Sequence, residues 1–262
     1  LGGLCMIFDT HAHYDDEAFD NDRDEILSGL GSNGVDYVVN VAADMKGIES
    51  GAALAEKYPR VYSSAGVHPS ECADLDEKDL EIIREAAALP KTVAIGEIGL
   101  DYHGDEPNRE QQKFWFKRQL EIASKCDLPV IIHSRDAAQD TMDILKEHRV
   151  RVDGPQGVIH CYSYSSEMAV MYVKMGYYIG IGGVVTFKNA RKVREAVAIL
   201  PLERIVLETD CPYMAPEPLR GERNSSLNLP FVAAQIARIK NITTDEVINV
   251  TEKNAENLYG IH

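Results

Sequence analysis

The 262-residue sequence predicts a (β/α)8 barrel, a TIM-type α/β fold in a single domain. Three observations carry this. Short Val- and Ile-rich runs recur eight times, segments of helical period lie between them, and the length is one that α/β barrels reach without dividing. The candidate strands are, in order, 6–9, 37–41, 61–65, 93–96, 129–132, 157–159, 177–181 and 205–207. Most are continuous apolar runs rather than long polar/apolar alternations, as expected of parallel strands covered on both faces.

The intervening segments read as helices. Leu80, Ile83 and Ala87 share a stripe in 76–88, and Phe116, Leu120 and Ala123 do so in 111–125. Ser166 is placed to cap the helix that carries Met168, Val170 and Val173, and Gly176 follows its end. Two more helices, 230–240 and 244–258, follow the last strand. A doubly wound open sheet is the rival architecture, because alternation does not itself show closure. The domain is taken as 6–262, with Leu1 to Cys5 preceding Met6, which reads as an initiator, and set aside as an expression remnant.

The net charge of −15 disfavours a protein that holds nucleic acid by a broad basic surface, yet leaves room for one local phosphate site. Five scattered cysteines, odd in number and without CxxC spacing, argue against a disulfide framework or a structural zinc site and point to a reducing, cytoplasmic compartment. Cys161 and Cys211 are read as small packing residues rather than nucleophiles. No apolar run approaches the length of a membrane span, and no obligate protein partner is implied.

His11 and His13 close the first run, and alternate side chains of a strand share a face, so both imidazoles can meet one ion. Glu97, His133, His160 and Asp210 each stand at the end of a later run. Barrel geometry brings such strand ends together on one rim. Six groups exceed the needs of one catalytic zinc, so two divalent ions are expected, with Mg²⁺, Mn²⁺ and Zn²⁺ all open. In this reading His11 and His13 hold one ion, His133 and His160 the other, and Glu97 bridges them. Asp210 binds the first and accepts a proton from the attacking water. The chemistry expected is hydrolysis by water activated to hydroxide between two metals.

The segments Phe8-Asp9-Thr10-His11-Ala12-His13, Gly66-Val67-His68-Pro69, Gly96-Glu97-Ile98-Gly99-Leu100-Asp101-Tyr102, His133-Ser134-Arg135, His160-Cys161-Tyr162-Ser163 and Glu208-Thr209-Asp210-Cys211-Pro212-Tyr213 span nearly the whole chain. In order and approximate spacing they resemble the motifs of TatD-type metal-dependent deoxyribonucleases. The resemblance implies a metallo-dependent hydrolase barrel, DNA phosphodiesters as substrate, and metal binding by the same six residues. One loop departs from the family's basic pattern: Glu222 stands in Arg220-Gly221-Glu222-Arg223-Asn224 where that pattern has a lysine.

Around this centre, His68 is a candidate substrate contact, Arg135 offers a planar fork to a phosphate oxygen, and Lys188 lies after the seventh strand, where many barrels bind phosphate. For Arg135 an ion pair with Asp101 or Asp136 is the competing reading. His103 is read as a surface residue. Phe187, Tyr102 and Tyr162 could stack on bases, but an aromatic at a barrel rim is more often packing. The leading expectation is thus a two-metal deoxyribonuclease. A hydrolase of a small amide, lactone or phosphotriester is the alternative, and a non-catalytic metal-binding scaffold is a third.

Overall fold

Eight parallel strands lie side by side in sequence order: β1 (Ile7–Ala12), β2 (Val35–Asn40), β3 (Val61–Ala65), β4 (Thr92–Asp101), β5 (Val130–Arg135), β6 (Gly157–Ile159), β7 (Tyr177–Ile181) and β8 (Ile205–Leu207). The structure is a computed structural model, and the residues described are 5–104 and 106–261. Of the segment set aside as a remnant, Leu1 to Leu4 lie outside the described residues. Helices cover the sheet: α1 (Arg23–Gly29), α2 (Met45–Lys57), α3 (Glu77–Ala87), α4 (Arg109–Cys126), α5 (Ala138–Glu147), α6 (Ser166–Lys174), α7 (Arg191–Ile199), α8 (Leu229–Lys240) and α9 (Thr244–Tyr259). This is the (β/α)8 barrel that the strand–helix alternation predicts.

The sheet closes beyond the last ladder. Past β8, the Asp210 N–H donates to His11 O at 2.9 Å and the His13 N–H donates to Cys211 O at 2.8 Å, with a parallel bridge between Ala12 and Cys211. Asp9 reinforces this seam: its buried carboxylate accepts from the Thr209 N–H, the Thr209 hydroxyl and the Ser226 hydroxyl. Burial lifts the Asp9 pKa to about 6 in spite of those donors.

The main core lies between sheet and helices, and a second one fills the barrel with Phe8, Val39, Val41, Ile131, Val158, Tyr178 and Val206. Leu258, Tyr259 and Ile261 join that inner cluster, so the end of α9 plugs the barrel floor. Both faces of each strand are therefore dry, which is why the runs lack alternation.

Three strands continue past the C-terminal end of their apolar runs, while β2 begins two residues before its run and ends one residue short of it. β1, β4 and β5 continue to Ala12, Asp101 and Arg135, because the backbone ladder persists where polar ligand-type side chains interrupt the hydrophobic pattern. Between Ile95 and Ile98 the β4–β5 register slips, the local irregularity by which a strand re-aims a side chain, here Glu97. At Gly99, φ is +146° and a Cβ would stand 1.9 Å from His133 O, so glycine lets β4 lie directly against β5 beside the site. The α6 cap is Ser165 rather than Ser166: its hydroxyl accepts from the Met168 N–H, the reach of a residue one position outside the helix. Among the described residues no helix is long and apolar enough to cross a membrane.

Candidate metal centre

Glu97 stands at the middle of the rim. It is buried, and its two oxygens face different partners. Oε2 lies 3.4 Å from His11 Nε2, while Oε1 lies 2.8 Å from His133 Nδ1 and 3.4 Å from His160 Nε2. On the His11 side, His11 Nε2 and His13 Nε2 are 3.1 Å apart, and Asp210 Oδ1 is 3.6 Å from the first and 3.4 Å from the second. All six residues read from the strand ends thus converge. His11 sits within β1, Glu97 and His133 sit inside β4 and β5, and the others lie just past a strand.

These spacings suit metal ions. Ligands about 2.0–2.1 Å from a tetrahedral ion are roughly 3.3 Å from one another, and the His11, His13 and Asp210 atoms are separated by 3.1–3.6 Å. The two imidazole nitrogens stand at hydrogen-bond distance from each other beside the Glu97 and Asp210 carboxylates, a donor set that a cation would also satisfy.

Two of the far ring nitrogens are hydrogen-bonded, whereas His11 Nδ1 and His160 Nδ1 are buried without a hydrogen-bond partner among the described residues. His13 Nδ1 is 2.9 Å from Val41 O, and His133 Nε2 is 3.0 Å from Asp101 Oδ2. His160 Nδ1 is 3.4 Å from Glu208 Oε1, an oxygen that also accepts the Cys161 N–H at 2.5 Å. Glu208 is fully buried and fits because Gly180 has no side chain; a Cβ there would lie 2.2 Å from Glu208 Oε2. Such partners fix the ring orientation and tautomer of ligating histidines.

Electrostatics follow from the crowding. Burial opposes charge on His13 and His160, yet Asp210 raises His13 to about 9, and Glu208 and Glu97 raise His160 to about 10. His11 is pushed the other way by burial and by His160, whose ring stacks on it at 3.6 Å between centroids. Burial also works against charge on Glu97 and Asp210, but the surrounding histidines hold both carboxylates below their ordinary range. Burial and nearby carboxylates push the Cys161 thiol well up, and burial and Asp9 do the same to Cys211, so neither is a thiolate nucleophile at neutral pH.

The centre opens into a cleft of about 640 Å³. His68 lines it, with Nε2 3.9 Å from Glu97 Oε1 and Nδ1 accepting the Ser70 N–H; burial lowers its pKa to about 4. Arg135 also lines the cleft and forms no ion pair among the described residues; Asp136, one of its proposed partners, faces His103 at the surface instead. Asp15, Asp16, Asp44, Glu71 and Asp101 share the wall, and Arg135 is its one Lys or Arg among the described residues. Lys188 is exposed and outside this lining.

The three aromatics weighed as stacking candidates are engaged within the protein. Tyr162 is buried, Tyr102 donates its hydroxyl to Asp140, and Phe187 lies under the Arg220 guanidinium. The exposed aromatic in the cleft wall is Tyr213, whose hydroxyl is tethered to Asp16 at 2.9 Å. Sequence reasoning also missed Asp101 and Glu208, although both lie in the motifs already quoted.

A closed (β/α)8 barrel whose rim gathers four imidazoles and two carboxylates, one of them central, has the build of a metal-dependent hydrolase. More narrowly, the chain belongs to the TatD-related DNase family, whose model matches residues 8–260. It is 41% identical over 257 residues to the metal-dependent hydrolase YabD of Bacillus subtilis, covering 98% of this chain and 100% of that protein. It is 32% identical over 260 residues to the 3'-5' ssDNA/RNA exonuclease TatD of Escherichia fergusonii, covering 97% and 99% of the two chains. The crystal structure of YjjV, a TatD homologue from Escherichia coli K12, superposes with a TM-score of 0.92 at 33% identity, covering 99% and 100%.

Proposed function

We propose that this protein is a two-metal phosphodiesterase that hydrolyses DNA. The observation that carries the reading is the division of Glu97: one carboxylate oxygen faces His11 of the His11/His13/Asp210 set, and the other faces the His133/His160 pair. His11, His13 and Asp210 would hold one divalent ion, His133 and His160 the other, with Glu97 shared. Such ions supply positive charge that acidifies water and neutralises a phosphoryl oxygen. A relative of 32% identity is named as acting on single-stranded DNA and RNA, which supports a nucleic-acid substrate.

The residues divide the remaining work. Asp210, on the rim beside His11 and His13, takes the proton from the attacking water. Arg135 binds a non-bridging phosphate oxygen through its fork. His68, with Nδ1 occupied by the Ser70 N–H, presents Nε2–H to the scissile group. Lys188 is left to a phosphate further along the strand.

The test is Asp210→Asn, which keeps the size and one oxygen and removes the charge. Hydrolysis of end-labelled single-stranded DNA should fall by about 10²-fold or more at saturating metal with occupancy measured. Wild-type turnover by the fully loaded variant would remove Asp210 from this role. One observation favours a second reading: an acidic cleft wall with one arginine also suits a small neutral amide, lactone or phosphotriester. Turnover of those compounds in the absence of DNA hydrolysis would select it.

A further inference from the structure

Two glutamines of α4 are buried to 1–2% exposure, seven residues apart, on the face that carries Phe116, Leu120 and Ala123. That places their amides in a helix–sheet core, where an unpaired amide is costly. In each, both the oxygen and the nitrogen are hydrogen-bonded to one backbone residue. Gln119 Oε1 accepts the Val67 N–H at 2.8 Å while its Nε2 donates to Val67 O at 3.1 Å. Gln112 Oε1 accepts the Asp101 N–H at 2.8 Å while its Nε2 donates to Asp101 O and to Pro107 O, both at 2.8 Å. A side-chain amide that exchanges both bonds with one residue imitates a neighbouring strand at the point where the sheet runs out.

The two clamped residues are not arbitrary. Val67 directly precedes His68, and Asp101 carries the carboxylate that holds His133 Nε2 at 3.0 Å while its other oxygen accepts the His103 N–H. With Nε2 so engaged, Nδ1 is the His133 atom presented to Glu97, at 2.8 Å. We infer that Gln112 and Gln119 are positioning residues: Gln112 acts through Asp101 to set the His133 ring, and Gln119 acts through Val67 to set His68. α4 thereby aligns a metal ligand and a substrate contact from one rigid element. This rests on the metal-centre reading above.

The experiment titrates Mn²⁺ calorimetrically into metal-free wild type, His133→Ala, Asp101→Ala, Gln112→Met, Gln112→Glu and the Gln112→Met/Asp101→Ala double variant. Gln112→Glu keeps the acceptor for the Asp101 N–H, and so remains informative if the Met variant folds poorly. Both Gln112 variants and Asp101→Ala should weaken one of the two ions by roughly tenfold or more, the size of effect for an outer partner of a ligand, and leave the other within twofold. If Gln112 acts through Asp101, the double variant is no weaker than Asp101→Ala alone. Gln119→Met should leave both affinities unchanged and lower kcat/KM about tenfold with DNA. Additive losses, or equal weakening of both ions, would overturn the inference while His133→Ala still loses one ion. Unchanged binding by His133→Ala would instead overturn the metal reading itself.

Discussion

Glu208→Gln isolates the charge behind His160. Glu208 Oε1 is the oxygen that faces both His160 Nδ1 at 3.4 Å and the Cys161 N–H at 2.5 Å, and a glutamine oxygen at that place keeps both contacts. What changes is the charge. Hydrogen bonds to a charged group contribute about 1.5–3 kcal/mol and neutral ones about 0.5–1.5 kcal/mol, a difference of roughly 1.2 kcal/mol between midpoints. At 3.4 Å and without hydrogen-bond geometry, His160 Nδ1 and Glu208 Oε1 make that an upper limit for the exchange. It corresponds to a loss of about tenfold at most in affinity for the ion proposed at His160, the lower end of the ~10–100-fold effect of removing an outer partner. Metal-free stability should fall as well, because Glu208 is also the carboxylate that, with Glu97, raises His160 to about 10. Glu208 Oε2 is buried and has no hydrogen-bond partner among the described residues, so the variant's lighter desolvation cost offsets part of that loss. Calorimetric titration should show one ion weakened and the other unchanged, and chemical denaturation of the metal-free protein at pH 7 should show a less stable variant. Equal affinity for both ions in wild type and variant would refute this account.

Other outcomes are open to measurement. With one arginine in the cleft wall, the logarithm of DNA affinity should fall with the logarithm of salt at a slope no steeper than about −1.5, whereas a slope matching six neutralised phosphates would contradict a narrow contact. Tyr213→Ala, which removes the exposed ring of that wall, should weaken single-strand binding by about tenfold or more, as expected for loss of a base-stacking platform, and an unchanged Kd would remove it from that role. Glu252, half-buried on α9, is raised to about 7 by burial and by Asp36 and Glu256. Because its folded pKa lies above the unfolded value, the protein should lose stability as pH rises from about 4.5 through 7. Glu252→Gln should therefore stabilise by about 1 kcal/mol at pH 8, after allowance for solvent screening, and by nothing at pH 4, as read from chemical denaturation.

The barrel was legible because its strands are dry on both faces: Val61–Ala65, Gly157–Ile159, Tyr177–Ile181 and Ile205–Leu207 coincide with their apolar runs. The hidden parts were those where function interrupts the pattern. Glu97 and His133 lie inside strands that the hydrophobic signal ends early, and the register slip beside Glu97 depends on how β4 meets β5, which no local window contains. The six rim groups were readable because each follows such a run. Their outer partners were not: Glu208 and Asp101 look like ordinary acidic residues, and Gln112 and Gln119 like solvent-facing ones. A signal for the glutamines did exist, since both fall on the stripe of Phe116, Leu120 and Ala123 at helical spacing.

The closing seam has a consequence for when the protein becomes competent. His11 and His13 belong to β1 and Asp210 to the segment past β8, and the bonds joining these regions span about 200 residues, from Asp9 to Thr209. Half of the candidate centre therefore exists only after contacts spanning about 200 residues have formed, and a partly folded barrel offers His133, His160 and Glu97 without their counterparts. An ion that prefers the complete set binds the finished fold alone, and its binding free energy is added to the seam. Assembly of the candidate centre is thus coupled to closure of the barrel, because the seam that joins β1 to the segment past β8 also sets His11 and His13 beside Asp210.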